Sequence, residues 1–420
     1  MDLHVEPIAR PPLDRQQVEV VERKGLGHPD SICDALAEEL SVSLSRFYLE
    51  HFGSILHHNV DKLLLAGGAS QPSFGGGVVL APIELYLAGR ATRSFEGIEV
   101  PIEDLAGRAC RRWLRTNLHA LDAQKHVVIH TLVGSGSRDL VELFARQPDR
   151  GIVLANDTSC GVGYAPLSEL ERIVLGVEQQ LNTRRAKLDH PAIGEDLKLM
   201  GVRRGDRIQL TLACAFVDRH VKSIGDYREK KEEVRELAAD IARSFTDREV
   251  TIAVNTADDI EKRSIYFTVT GTSAESGDDG EAGRGNRING LIAPYRTMTM
   301  ESVAGKNPIT HVGKLYNVVA GLIASDLVEQ IPGVDEARCC LVSQIGRPIS
   351  DPQLVDVKLC CPDDRVAADR TGRIRAIVAR RVTEAVELWK EVLTGVIAFD
   401  RWPLRQEPPV PAPGPSGPAT

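Results

Sequence analysis

Long apolar runs are missing from this chain of 420 residues. The nearest approach, around 318–324, is much shorter than the roughly 18–20 residues that a membrane helix needs. The first residues carry acids and prolines where a secretory signal would have a basic segment followed by an apolar core. We therefore expect a cytoplasmic protein that does not span a membrane.

Neither an excess of basic charge nor a paired-cysteine motif is present. The 51 basic and 59 acidic residues give a net charge of −8, which does not attract a polyanion. The eight cysteines include no CxxC pair, so we expect reduced thiols. Two Cys-Cys dipeptides lie in strand-like segments, where neighbouring side chains point to opposite faces, and this favours core packing over metal binding. We expect no nucleic-acid partner.

Apolar residues recur at helical or strand spacing along most of the chain, which is long enough for roughly two to four domains. A capping box formed by Ser168 and Glu171 marks one helix start. The spacing predicts helices over 30–52, 102–117, from 169 onward, 226–245, 310–330 and 372–393. It predicts strands over 61–66, 78–88, 126–133, 207–217, 250–256, 264–270, 337–345 and 354–361.

Pairs of strands between long helices recur three times. This recurrence favours an α+β fold of three similarly folded domains, each an open β-sheet covered by helices on one face. The predicted divisions are an N-terminal extension over 1–17, domains over 18–150, 151–273 and 274–402, and a Pro-rich tail over 403–420. The tail is too polar to pack and is predicted to be disordered. The uncovered sheet faces then require partners.

The segment KGLGHPDS lies directly before the first predicted helix. One interpretation makes Asp30 an ordinary N-cap whose carboxylate accepts a backbone N–H. The other starts from Gly25, Gly27 and Pro29, which fix an unusual backbone before a helix N-terminus, a position that favours phosphate. In that case His28 meets a phosphate and Asp30 holds Mg²⁺.

Three further loops are dense in polar residues but are individually weak signals. The segment GSGSRD, residues 134–139, follows a predicted strand and can approach an anion or form a simple turn. Asp157 precedes two glycines and is also an ordinary turn former. The segment GEDLK, with Asp196 and Lys198, is equally compatible with a simple charged loop.

The stretch from GDDGEAGRGNR to GKNPITHVGK places acids beside bases on a Gly-rich backbone. Its charged residues are Asp278, Asp279, Arg284, Arg287, Lys306, His311 and Lys314. Carboxylates that hold Mg²⁺ beside cations that neutralise oxygens suit a polyphosphate. The stretch is not a Walker A loop, since Met300 replaces the first glycine and Asn307 the Ser or Thr.

Taken together and in order, several long segments resemble the archaeal-type S-adenosylmethionine synthetases. These segments are VERKGLGHPDSICDALAEELS, FGGG, NDTSCGVGYAPLSELERIVL, GEDLKLMGVRRGD, VNTADD, TVTGTSAESGDDGEAGRGNRINGLI and AGKNPITHVGKLYN. The resemblance covers about residues 18–389. It implies attack of the methionine sulfur on C5′ of ATP, release of the whole triphosphate, and its hydrolysis to pyrophosphate and phosphate.

The resemblance also implies three domains related by an approximate threefold axis, and a homodimer, or a dimer of such dimers, with active sites at the subunit interface. Mg²⁺ and K⁺ are the implied ions. The expected catalytic residues are His28, Arg284, Arg287 and Lys306. The expected ATP-binding residues are Gly134, Ser135, Gly136, Ser137, Arg138, Asp139, Asp157, Lys198, His311 and Lys314. The expected metal ligands are Asp30, Asp196, Asp278 and Asp279.

The sequence departs from the family pattern at two places. The bacterial branch has GKDP followed by a metal-binding Asp, whereas this chain has Asn307 and, at the aligned position, Gly313. The second Mg²⁺ ligand therefore stays open among Asp157, Asp196, Asp278 and Asp279. After FGGG the archaeal-type chains carry an acid, and Val78 stands here, so the monovalent-ion requirement can differ.

Two other functions fit the same loops. One is a paralogue that keeps the fold and the ATP chemistry but uses another thioether as nucleophile. The other is a catalytically silent ATP-binding protein, which would be expected to lack one of the key side chains, yet His28, Asp30 and Lys306 are all present. The sequence therefore favours an ATP-dependent methionine adenosyltransferase.

Overall fold

A computed structural model describes residues 1–136, 152–362 and 370–406 of the chain. Its helices are α1 Pro29–Phe52, α2 Ile102–Asn117, α3 Glu169–Leu181, α4 Arg184–Asp189, α5 Ile224–Arg243, α6 Val312–Gln330, α7 Thr371–Glu384 and α8 Leu388–Thr394. Its strands are β1 Leu3–Pro7, β2 Val18–Lys24, β3 His58–Ala66, β4 Ala69–Gln71, β5 Val78–Ala81, β6 Ile83–Ala91, β7 Ser94–Phe95, β8 Ile98–Glu99, β9 Val127–Gly134, β10 Cys160–Ala165, β11 Ile193–Arg204, β12 Arg207–Val217, β13 Glu249–Val254, β14 Phe267–Thr268, β15 Gly280–Glu281, β16 Glu336–Val342 and β17 Leu354–Cys360.

Three mixed sheets organise the fold, which confirms the α+β class. The first sheet has the order β15-β3-β6-β9, the second β13-β12-β11-β2, and the third β1-β17-β16-β10. Each is built around an antiparallel pair of consecutive long strands, with a parallel neighbour on one side and an antiparallel neighbour on the other. In the second sheet β14 also pairs in parallel with β12. The same pattern of strand directions therefore occurs three times.

The antiparallel neighbour in each sheet comes from another part of the chain. Strand β2 leads into α1 but pairs with β11 in the second sheet. Strand β10 leads towards α3 but pairs with β16 in the third sheet, and β15 precedes α6 but pairs with β3 in the first. The three sheets thus exchange one strand each in a cycle.

This exchange departs from the contiguous divisions expected from the sequence, with boundaries near 150 and 273. Strand β2 lies within the stretch 18–150 but belongs to the second sheet, and β1 of the expected N-terminal extension pairs in parallel with β17. Local spacing reveals strands but not their partners. Sheet membership, not position along the chain, therefore defines the packed units.

A pair of helices packs on each sheet. Helices α1 and α2 cover the first sheet, α3 and α5 the second, and α6 and α7 the third. On α1, Leu36 and Leu40 are fully buried together with Leu63 of β3 and Leu85 of β6. Burial of such apolar surface is the main force that holds each helix pair in place.

Several predicted elements are confirmed at their ends. Helix α2 and strand β12 have the predicted bounds, α1 stops at Gly53 in the left-handed conformation, and Ser168 forms the capping box with Glu171. The predicted strand 78–88 is two strands, since Pro82 cannot donate to the ladder. The predicted helix 372–393 is likewise divided into α7 and α8.

Strands β10 and β11 are among those that the sequence did not predict, because these two are rich in glycine or charge. The segment GEDLK belongs to β11 and is not a charged loop, and β10 contains Gly161 and Gly163. A Cβ atom on Gly161 would lie 2.2 Å from the Tyr316 backbone, and one on Gly163 would lie 2.2 Å from the Gly321 backbone. These glycines therefore allow β10 to pack closely on α6.

The expected disordered tail does not begin at residue 403. Leu404 is buried, where it approaches Gly321, and Arg405 pairs with Glu391 at 2.6 Å. Apolar anchoring and this ion pair hold the chain on the third sheet's helices up to residue 406. The rest of the tail, 407–420, lies outside the described residues. Within the described ranges, the model has no helix with the length and apolar character to cross a membrane.

Candidate active site

The HPD motif forms the start of α1, and His28 is the N-cap. Its Nδ1 accepts a hydrogen bond from the Asp30 backbone N–H at 3.1 Å, and Pro29 occupies the first helical position. The interpretation of Asp30 as an N-cap is therefore wrong, because His28 takes that role. Proline at the first turn needs no hydrogen bond there, which explains its place between the two polar residues.

The Asp30 carboxylate joins three segments of the chain. Its Oδ2 accepts a hydrogen bond from Lys24 Nζ at 2.8 Å, and its Oδ1 accepts one from the Glu281 backbone N–H at 2.9 Å. Burial alone raises the pKa of Asp30, but the hydrogen bonds from Lys24 and Glu281 lower it, and the net direction is downward. Asp30 is thus a buried, ionised carboxylate, as a metal ligand must be.

Close backbone contacts bring the three predicted loops together. A Cβ atom on Gly27 would lie 2.5 Å from the Asp196 backbone nitrogen, and one on Gly280 would lie 2.4 Å from the Pro29 backbone. Thr272 also donates a hydrogen bond to the Gly27 carbonyl at 2.7 Å. KGLGHPDS, GEDLK and GDDGEAG therefore meet in one place, which we call the HPD cluster.

His28 is a neutral ring with one defined tautomer. Burial, together with the charges of Lys24 and Lys198, lowers its pKa to about 4, although Asp30 opposes the shift. Because Nδ1 accepts a hydrogen bond, the ring proton resides on Nε2. The side chain therefore offers an N–H donor at Nε2 and carries no charge at neutral pH.

The two acids Asp196 and Asp278 have different environments in the HPD cluster. Asp196 is buried and accepts hydrogen bonds from the Ser273 N–H at 2.8 Å, the Ser273 hydroxyl at 2.6 Å and the Tyr266 hydroxyl at 3.1 Å. Burial raises its pKa to about 6 against these hydrogen bonds. Asp278 is exposed, and its charge acts on both His28 and Asp196.

The basic residues of this region also differ in availability. Lys198 and Arg284 are exposed, and the Lys198 ammonium lies 3.4 Å from Glu22. Arg287 donates to the carbonyl oxygens of Gly283, Gly285 and Thr299 at 2.6–3.2 Å, and burial lowers its pKa. These hydrogen bonds stabilise the loop in which Arg287 lies.

Lys306 belongs to a second, buried group that we call the GKNP cluster. Its ammonium donates to Glu301 and lies 3.9 Å from Asp61. His311 caps α6 by accepting the Gly313 N–H at 3.2 Å, and Lys314 donates to both carboxylate oxygens of Glu38 at 2.7–2.8 Å. Burial lowers the pKa of His311 well below its ordinary value and also lowers that of Lys314.

Strand β3 separates the two clusters. Lys306 bridges to Asn59 near one end of this strand, whereas Glu281 pairs with Leu64 near the other. Five strand residues correspond to about 16 Å. Within one chain, the two clusters therefore contact β3 at backbone positions about 16 Å apart.

An acidic stripe on α1 connects the clusters and was missed by sequence reasoning. Asp30, Asp34 and Glu38 recur every four residues, on one side of the helix. Asp34 accepts the Gly283 N–H at 2.7 Å, and Glu38 accepts the Gly305 N–H at 3.0 Å. Burial raises the pKa of Asp34 to about 7. The four-residue spacing of these acids along the helix was the available signal.

The remaining expected site residues lie at the margins. Asp157 is exposed, and its neighbour Asn156 donates to the Thr310 carbonyl at 3.3 Å, beside the GKNP cluster. Asp279 is exposed and accepts the Gly67 N–H at 3.0 Å. Gly134 ends β9, and Ser135 and Gly136 follow it. Ser137, Arg138 and Asp139 lie outside the described residues.

Metal binding by this site would depend on the substrate. In the part of the chain that the structure describes, no three His, Cys, Asp or Glu side chains are grouped to hold a metal ion. Mg²⁺ commonly needs only one or two carboxylates when phosphate oxygens supply further ligands. The ionised Asp30 and the exposed Asp278 fit a Mg²⁺ ion that arrives with a polyphosphate.

A family model described as S-adenosylmethionine synthetase (AdoMet synthetase) matches residues 1–396. An S-adenosylmethionine synthase homologue from Aquifex aeolicus is 53% identical over 93% of this chain and 97% of its own. The S-adenosylmethionine synthase of Methanothrix thermoacetophila is 46% identical over 94% and 98%, and that of Pyrococcus furiosus is 50% identical over 84% and 88%.

The fold is also shared with a solved structure. An unusual S-adenosylmethionine synthetase from Campylobacter jejuni superposes with a TM-score of 0.59 at 13% identity, over 89% of this chain and 90% of that one. The family match extends over both clusters. The chain therefore belongs to the S-adenosylmethionine synthetase family, whose members are methionine adenosyltransferases.

Proposed function

We propose that the chain joins ATP to L-methionine to form S-adenosylmethionine, with release of triphosphate and its hydrolysis to pyrophosphate and phosphate. The observation that carries this proposal is the HPD cluster, where one neutral histidine, three acids and exposed cations surround the start of a long helix. A helix N-terminus of this kind favours phosphate groups. No nucleophilic side chain is needed, since the methionine sulfur supplies the electron pair.

The reaction requires stabilisation of a leaving group. The sulfur forms a bond to C5′ as the bond from C5′ to the triphosphate oxygen breaks, and negative charge accumulates on that oxygen. His28 would donate its Nε2 proton in a hydrogen bond, and Lys198 and Arg284 would neutralise phosphate oxygens. Asp30 and Asp278 would hold Mg²⁺, which supplies charge stabilisation on the triphosphate.

Cofactor use is part of the proposal. Mg²⁺ is favoured by the chemistry of Asp30 and Asp278, and K⁺ is expected as a second type of ion. Val78, which stands where an acid was expected, is half exposed at the edge of a short hairpin. Its side chain cannot ligate a cation, so any K⁺ site must use oxygen atoms of other groups.

Assembly is proposed from two observations. The uncovered face of the first sheet exposes Leu64 at 48% and Leu132 at 62%, and apolar patches on a sheet face favour a partner surface. The separation of the two clusters by about 16 Å of strand favours a homodimer in which the HPD cluster of one copy meets the GKNP cluster of the other.

Two further features of the proposal concern the architecture and the compartment. The cyclic exchange of β2, β10 and β15 supports three domains related by an approximate threefold axis. A cytoplasmic location agrees with reduced cysteines, because glutathione and thioredoxin keep thiols reduced in that compartment.

The alternative, a paralogue that uses another thioether, is not favoured, since relatives at 45–53% identity are S-adenosylmethionine synthases. A competition experiment separates the two. The protein would be incubated with ATP, Mg²⁺, K⁺ and an equimolar mixture of methionine, ethionine and S-methylcysteine, and the sulfonium products would be measured by mass spectrometry. S-adenosylmethionine as the main product supports the proposal, whereas another main product contradicts it.

A further inference from the structure

Two lysines stand directly opposite each other on the sheet that borders the HPD cluster. Lys24 of β2 pairs in register with Lys198 of the antiparallel strand β11. Directly opposed residues have side chains on the same face, about 5 Å apart at Cβ, and like charges in this position are destabilising. Such a pair persists only if anionic groups compensate both charges.

The two lysines are compensated unequally. Lys24 Nζ donates to Asp30 Oδ2 at 2.8 Å and to the Arg284 carbonyl at 2.7 Å, and its side chain is 13% exposed. Lys198 is 44% exposed, with Glu22 at 3.4 Å. Lys24 is therefore held by the carboxylate that the proposed function assigns to Mg²⁺, while Lys198 faces solvent.

The contact between Lys24 and Asp30 conflicts with metal binding at the same oxygen. An ammonium and a divalent cation repel each other strongly at the separation that a shared carboxylate oxygen imposes. The long, flexible lysine side chain can turn about its stem to a new partner. The nearest anion that metal loading would bring is the polyphosphate itself.

We propose that Lys24 is an exchangeable counter-ion, which neutralises Asp30 in the empty site and moves to a phosphate oxygen when the metal–nucleotide complex binds. The inference deepens the proposed function and rests on it. Lys24 then contacts substrate beside Lys198, and the lysine pair becomes a clamp on the polyphosphate. Sequence reasoning missed Lys24 because the register that pairs it with Lys198 is a tertiary feature.

The test compares Lys24→Gln with wild type in the full chain, without ATP, by two binding measurements. Mn²⁺ binding is followed by electron paramagnetic resonance. Tripolyphosphate binding is measured by calorimetry in excess Mg²⁺, which occupies Asp30 in both proteins. Removal of the competing ammonium should tighten Mn²⁺ binding by about tenfold, and loss of a phosphate partner should weaken tripolyphosphate binding by about tenfold. Opposite shifts are the signature of exchange.

A matched control lies in the same sheet. Arg207 of β12 stands opposite Arg204 of β11 in another basic cross-strand pair. Arg204 lies six residues, or about 20 Å, further along β11 than Lys198. Arg207→Gln should leave both affinities unchanged. An unchanged or weaker Mn²⁺ affinity in Lys24→Gln, or an unchanged tripolyphosphate affinity, overturns the inference.

Lys24→Arg keeps the experiment informative if Lys24→Gln does not fold. A bidentate guanidinium should hold Asp30 more firmly and weaken Mn²⁺ binding, whereas a merely structural ion pair predicts wild-type binding. Asp30→Asn and the wild-type product assay show whether a negative result concerns the inference alone or also the proposed function. If wild type forms S-adenosylmethionine and Asp30→Asn loses Mn²⁺ binding, but Lys24 variants show no exchange, only the inference fails.

Discussion

His28 accepts the backbone N–H of Asp30 through Nδ1, so the ring proton of His28 is on Nε2. One hydrogen bond thus caps α1 and sets the tautomer that has its donor at Nε2. Burial keeps the ring neutral, with a pKa of about 4. In the proposed function the neutral ring contributes a directed hydrogen bond, and the neighbouring lysines contribute the positive charge.

Replacing His28 by Asn tests this division of roles. Asn is among the preferred N-cap residues, so its side-chain oxygen should still accept the Asp30 N–H, and the unfolding temperature should change little. The donor equivalent to Nε2 is lost, so kcat should fall by roughly 100-fold. The rate of S-adenosylmethionine formation and a thermal melt measure the two effects. A rate within a few-fold of wild type would remove the phosphate contact from the account.

Coexpression of Asp30→Asn with Lys306→Met tests whether two copies complete each site. Each variant alone should be nearly inactive. If the HPD cluster of one copy works with the GKNP cluster of the other, each mixed dimer has one intact site. In a random mixture of dimers, about a quarter of all sites should then be intact. Two different affinity tags allow the mixed dimer to be purified and assayed. If both clusters act within one chain, the mixed dimer should remain as inactive as its parents.

Substitution of Gly163 by Ala tests the close packing of β10 on α6. The added Cβ would lie 2.2 Å from the Gly321 backbone, and overpacking of this type costs about 1–3 kcal/mol. Gly107 in α2 has no atom within 4 Å of the same position. Its replacement by Ala should stabilise the protein by about 0.5–1 kcal/mol. Urea titration measures both changes, and equal effects would contradict the packing argument.

The buried His58 should make the free energy of unfolding depend on pH in the acidic range. It is buried beside Ser41, at 2.9 Å, and Asn307, at 3.2 Å, under the GKNP cluster. Burial lowers its pKa to about 3, whereas the unfolded chain binds this proton below about pH 6.5. The unfolded state therefore gains protons first, and stability should fall as the pH decreases from 6.5 towards 3.

His58→Gln should reduce this decrease in the free energy of unfolding between pH 7.5 and 4.5. His51→Gln is the matched control, since His51 is an exposed residue in the last turn of α1. The control should retain the wild-type pH dependence. The same slope in all three proteins would show that another group is responsible.

Sequence patterns predicted the bounds of elements that bury one face along their length. The apolar spacing of α2 and the alternation of β12 gave the observed bounds, because one face of each element is buried. Strand β11 was missed because Lys198 and its neighbouring acids resemble a charged loop, although Leu197 and Leu199 are buried. Alternation was present in these residues but was outweighed by their charge.

The site was predicted in its parts but not in its arrangement. His28 and Asp278 lie together in the HPD cluster, whereas the backbone of Lys306 lies near the far end of β3. The contacts of Lys24 with Asp30 and of Glu38 with Lys314 depend on strand exchange and helix packing. Such contacts join residues distant in sequence, or depend on register, and neither is visible in a local motif.

The most direct test of the central claim is the product stoichiometry with ATP and methionine as the only substrates. The account predicts S-adenosylmethionine, pyrophosphate and phosphate in equal amounts, with no ADP or AMP, because the triphosphate leaves intact and is hydrolysed afterwards. Quantitative mass spectrometry and phosphorus NMR measure all of these species. Formation of ADP or AMP, or phosphate release without S-adenosylmethionine, would contradict the account.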